Sequence, residues 1–156
     1  MSLVSQVPDL AILGRTIQSA VAPVFLLVAT GNLINVMTGR LARVVDRSRA
    51  LEERYAATTG ADHERVVWEL RRLDRRMSLV NTAMGMAVAC GVVVCLMVAA
   101  LFLGEVAGFK TGVAVALLFV VAMALLIGSL ALFLIEVRQA TVTIRVRAEF
   151  LERGRR

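Results

Sequence analysis

The sequence predicts an all-α membrane protein in which three long transmembrane helices extend into a cytoplasmic helical stalk, an antiparallel hairpin plus a C-terminal helix. Three observations carry this. Of 156 residues, 58% are apolar, above the roughly 45–50% of a soluble globular domain. Three charge-free runs, Ile17–Met37, Leu79–Leu103 and Gly112–Ile135, each reach the roughly 20 residues that cross a bilayer. The arginine-rich segments beside them carry apolar residues at alternating three- and four-residue spacing, which marks helix rather than loop. The length leaves room for one membrane domain over residues 1–156 and excludes a multidomain enzyme.

In chain order, the first span is expected at about 17–37, led in by a helical stretch from Pro8 to Gln18. Met1–Asp9 holds no Arg or Lys, so a removable signal peptide is not expected. Pro23 removes one backbone hydrogen bond and should bend the helix near its outer end. An extension follows over 38–57, with Leu41, Val44 or Val45, Ser48, Leu51 and Tyr55 on one face. Gly60 should end that helix, and Thr59 with Asp62 resembles a capping box that starts the next. The extension over 61–78 places Val66, Leu70, Leu73, Met77 and Val80 on a coiled-coil seam. It enters the second span, 79–103. After a turn from Gly104 to Thr111 comes the third span, 112–135. Its extension, 136–153, repeats the seam at Val137, Thr141, Ile144, Ala148 and Leu151. The helices of this scheme are each about 40 residues, or roughly 60 Å, and about half of that exceeds the bilayer core.

Orientation follows from the arginines. Between Arg40 and Arg76 lie ten arginines and seven acids, and from Glu136 onward six arginines and three acids. Arg15 and Lys110 are the remaining cations. The positive-inside rule therefore puts the hairpin and the C-terminus in the cytoplasm and the N-terminus outside. The net charge of +6 is accounted for by topology and by anionic lipid headgroups, so nucleic acid is not an expected partner.

Two groups of residues are candidate sites. Gly31, Asn32, Asn35 and Gly39 fall within about 100° of arc on the first helix, so this polar face should meet protein or water. Interhelical packing, in the monomer or an oligomer, is favoured over the lining of a conduit. A charged belt should lie near one membrane level. Arg40, Arg43, Asp46 and Arg47 leave the first span, Arg72, Asp74, Arg75 and Arg76 enter the second, and Glu136 and Arg138 follow the third. Salt bridges and headgroup contacts are its simplest use, and a charged vestibule in an oligomer is the sharper one. Small residues at four-residue spacing, Gly85 with Ala89 and Ala124 with Gly128, should allow close packing within a protomer.

Catalysis is not expected: no nucleophile set, phosphate-cradling loop or carboxylate pair within the spans is found. No cofactor or metal is expected either. The sequence has one histidine, and Cys90 and Cys95 sit about 140° apart on a helix, where they cannot chelate together. Asp62, His63 and Glu64 read as a solvated helix start.

The run Pro23-Val24-Phe25-Leu26-Leu27, then Gly31, Leu33, Asn35-Val36, Arg40-Leu41-Ala42-Arg43, Asp46-Arg47 and Arg49-Ala50-Leu51-Glu52 resembles the signature of a bacterial membrane-protein family, domain of unknown function 2721. The resemblance is most specific over residues 17–54. It implies an integral membrane protein of prokaryotes, for which the bacterial inner membrane is the expected location, and brings no activity, cofactor or catalytic residue with it. Two functions remain. One is a homo-oligomer forming a conduit for ions or small solutes. The other is a non-transporting scaffold or accessory subunit whose stalk binds a partner protein or anionic lipid.

Overall fold

The computed structural model describes residues 10–108 and 111–143, with side chains over 14–108 and 111–140. Three helices follow one another: α1 (Leu10–Tyr55), α2 (Ala61–Ala107) and α3 (Gly112–Thr143). At 1.5 Å per residue the first two are roughly 70 Å long, more than twice the bilayer core. All three are long and apolar enough to cross a membrane. Their outer surface agrees: Phe25, Val28, Val92, Leu96, Leu117, Val120 and Ile127 are exposed, a surface suited to lipid rather than water. The chain is a membrane protein.

α2 is the central element, with α1 packed along one side and α3 along the other. Its middle is narrow by composition, because Ala83 and Ala87 are fully buried, and small side chains let neighbouring helices approach closely. The buried residues of α1 are Thr16, Ala20, Pro23, Thr30, Met37, Val44, Ser48 and Leu51. Those of α2 are Leu73, Val80, Ala83, Ala87, Cys90, Val94, Met97 and Gly104. In both helices the intervals are three, four or seven residues, so one heptad seam runs from the extensions through the spans. α3 buries Ala122, Ser129, Glu136 and Ala140 on the same repeat.

The extension seam has its expected core. Val44, Leu51 and Leu73 form one cluster, with Leu70 and Met77 against it. Tyr55 departs from it: the residue is exposed, its ring 4.4 Å from that of His63. On α3 the expected seam is one residue out of register, since Glu136 and Ala140 are buried while Val137 is half-buried. The remaining expected positions, the Thr141 side chain and Ile144, Ala148 and Leu151, lie outside the described residues.

The turns differ from expectation in detail. Gly60 caps the start of α2 rather than the end of α1, with φ 66° and ψ −138° and no side-chain capping bond. That backbone region belongs essentially to glycine, so the Thr59 and Asp62 capping box does not form. Its carbonyl accepts from the Glu64 amide at 3.2 Å. α2 runs on to Ala107, past the expected turn start at Gly104. It stops at Gly108, which is left-handed at φ 69° and ψ 20°, with its amide donating to the Gly104 carbonyl. Gly104 itself has no room for a Cβ, because the Thr111 side chain fills that space. α1 continues through Pro23 as one helix.

Of the two glycines in the small-residue pairs, Gly128 closely approaches the Met86 side chain, whereas a Cβ at Gly85 would meet nothing within 4 Å. Gly85 and Ala124 are exposed, and Ala89 is half-buried. Cys90 is buried and Cys95 exposed.

Candidate functional site

Three arginine-rich helix ends meet at one level. Arg40 is the first charge after the α1 apolar run, Arg76 the last before that of α2, and Glu136 the first after that of α3. The structure joins them. Glu136 is 1% exposed, and each of its oxygens accepts from a different helix. Arg40 Nη1 donates to Oε2 at 2.8 Å, and Arg76 Nη2 donates to Oε1 at 2.7 Å. A buried carboxylate needs such pairing, because an unpaired charge there would be strongly unfavourable. The Arg40 guanidinium also lies 5.4 Å from the centre of the Phe133 ring.

Arg47 stands seven residues beyond Arg40, and its Nε and Nη2 both donate to Glu69 Oε1, at 3.1 and 2.8 Å. Glu69 is seven residues before Arg76. Glu69 lies outside the sequence-predicted belt, although the heptad step from Arg76 reaches it. Arg72 sits over the Trp68 ring at 5.4 Å. Asp46, Asp74, Arg75 and Arg138 are exposed, as is Arg43. The belt therefore divides into a three-helix ion cluster and a solvated rim.

Between α1 and α3, next to that cluster, is a cleft of about 220 Å³ lined by Arg40, Arg43, Val44, Arg47, Leu73, Arg76, Glu136 and Ala140. Arg76 Nε is buried here without a hydrogen-bond partner. Farther along the extension, a broader groove of about 780 Å³ runs beside Arg47, Trp68, Glu69, Arg72 and Leu73.

The intramembrane polar face is placed differently from the ion cluster. Gly31, Asn32, Asn35 and Gly39 are all exposed on α1, with Gly31 at the edge of a groove that Ala87, Val88 and Gly91 of α2 also line. A Cβ added at Gly31 or Gly39 would meet nothing within 4 Å. Both asparagines are exposed within the protomer, which leaves packing against another copy and the lining of a conduit as their uses. The seam next to them is polar only at Thr30, whose hydroxyl donates to the Leu26 carbonyl at 2.8 Å. By helical rise, Asn35 is roughly 7 Å and Asn32 roughly 12 Å from the Arg40 level, well into the apolar span.

Two further polar contacts tie the spans together. Ser129 Oγ donates to the Ala83 carbonyl at 2.8 Å, and Thr16 Oγ1 donates to Glu105 Oε2 at 3.4 Å near the other end. Among the described residues, no group of three His, Cys, Asp or Glu side chains is placed to hold a metal ion.

No curated protein and no solved structure matches the chain. A family model does match it, over residues 20–146. That range covers the first apolar run from residue 20 onward, the whole of the other two, the ion cluster and the polar face of α1. The chain belongs to this family, described as Protein of unknown function (DUF2721).

Proposed function

We propose that the protein works as a homo-oligomer in the membrane, joined along the polar face of α1, and that several protomers around an axis form a conduit for ions or small solutes. The observation that carries the reading is the exposure of Asn32 and Asn35 inside an apolar span. An amide in hydrocarbon needs hydrogen-bond partners. The open space at Gly31 and Gly39 lets another helix come close enough to supply them. Conduction needs more than one copy, because the seams within a protomer are filled by Met37, Val80, Cys90, Val94 and Met97. The arginine-rich end faces the cytoplasm of a bacterial inner membrane and the N-terminus faces outside, by the distribution of positive charge.

A second reading, a non-transporting scaffold, is supported by Trp68, which is 63% exposed beside the groove on the extension. Exposed tryptophan next to arginine is a common anchor for a protein partner.

Light scattering of the detergent-purified chain separates these readings. An assembly of four or more 16.9 kDa protomers supports the conduit, a dimer supports the scaffold, and a monomer overturns the oligomer. For a conduit, Asn32→Leu and Asn35→Leu should change ion flux in liposomes or lower the assembled mass. Two variants that assemble and conduct like the parent would remove the polar face from the account.

A further inference from the structure

The ion cluster is not electrically complete. Arg40, Arg43, Arg47 and Arg76 line the cleft between α1 and α3. Set against them are the carboxylates of Glu136 and Glu69, which leave an excess of two positive charges. Both Glu136 oxygens are already taken. Arg43 makes no ion pair among the described residues, and the Arg76 Nε–H is buried without an acceptor. A buried donor left in that state is unfavourable until an acceptor reaches it.

We propose that this cleft binds the phosphate of an anionic phospholipid headgroup. Guanidinium forks suit phosphate oxygens geometrically as well as electrostatically. The cleft volume of about 220 Å³ is several times the ~30 Å³ share of one water molecule, leaving room for a phosphate group with water. Its level is that of lipid phosphates, because Arg40, Arg76 and Glu136 stand where the three apolar runs end. The surroundings favour a lipid over a free phosphate. One turn from Arg40 toward the membrane, on the same side of α1, Val36 is 55% exposed. Phe133 lies beneath the Arg40 guanidinium. A soluble anion has no use for that apolar surface, whereas acyl chains do. The inference is independent of the oligomer proposed above, since all three helices of the cleft belong to one protomer.

The test is native mass spectrometry of the full chain in detergent, titrated with dioctanoyl phosphatidylglycerol, dioctanoyl phosphatidylcholine or inorganic phosphate at constant ionic strength. Phosphatidylglycerol should bind saturably, one per protomer, and the other two should not. Arg43→Ala, an exposed change that leaves the Glu136 pairs intact, should weaken binding at least about fivefold. Arg49→Ala, exposed on another side of α1, should retain the parent affinity. Saturation by inorganic phosphate at the same concentration would overturn the lipid assignment in favour of a soluble anion. Equal binding of the two lipids, or equal affinities for Arg43→Ala and Arg49→Ala, would overturn the site.

Discussion

Thr30 and Asn32 stand two residues apart on α1, yet of the two Thr30 alone has a hydrogen-bond partner among the described residues. Thr30 is 2% exposed and bonds the carbonyl one turn back on its own helix. Thr38 and Thr82 do the same while exposed, donating to Ile34 and Ser78. A hydroxyl can thus be satisfied locally on either side of a helix, and its position says little about neighbours. A carboxamide carries two donors and an acceptor, more than its own helix can absorb. The side on which asparagines collect therefore reports where something outside the helix must come. On the seam side the polar groups are closed off. On the Asn32 and Asn35 side they are open.

The closed side can be broken most severely at Glu136. Glu136→Leu strands the guanidinium groups of Arg40 and Arg76 and should cost roughly 3–5 kcal/mol, read as a fall in thermal stability in detergent. Unchanged stability would mean that the carboxylate does not hold the three helices together. Next comes Leu73→Asp, which puts a charge into the Val44 and Leu51 cluster and should cost roughly 3 kcal/mol. Arg71→Asp, on the exposed side of the same turn, should stay within about 0.5 kcal/mol. Equal protease resistance of the two would show that the extensions do not pack. The smallest effect belongs to Ser129→Ala, which removes one interhelical bond in the membrane and should cost about 0.6 kcal/mol. A loss of several kcal/mol there would mean that the hydroxyl does more than meet Ala83.

Which of these features could be read in advance depends on whether the helix concerned has a contrast to read. On α1 and α2 outside the membrane, apolar residues stand out against arginine and glutamate, so Val44, Leu51 and Leu73 identify the seam by spacing alone. Length and charge likewise mark the spans, because crossing a bilayer imposes both. The span of α3 offers no such contrast, being apolar on every side. The buried residues of α3 are Ala122, Ser129, Glu136 and Ala140, chosen by fit to α2 and by the partners of one carboxylate. The expected seam at Val137 is one residue off because the residue buried beside it is charged, and Glu136 looks from sequence like any other member of a charged belt. The asparagine face shows the same limit. A helical wheel puts Gly31, Asn32, Asn35 and Gly39 on one face, but it cannot say which way that face turns. That direction is set by where Met37 meets Val80 and Ala83, a long-range contact. Gly60 marks a break from sequence alone, while its role as cap of α2 follows from a backbone conformation that the sequence does not display.

The central claim, that the open side of α1 meets another copy of the chain, is tested most directly by disulfide crosslinking in native membranes. With Cys90 and Cys95 replaced by serine, single cysteines are introduced as Asn35→Cys, Gly39→Cys and Met37→Cys, and the membranes are oxidised. Met37 is fully buried in the seam and serves as the closed-side control. The account predicts covalent dimers for Asn35→Cys and Gly39→Cys and none for Met37→Cys. Monomers at all three positions, or dimers formed equally well through Met37→Cys, would contradict it.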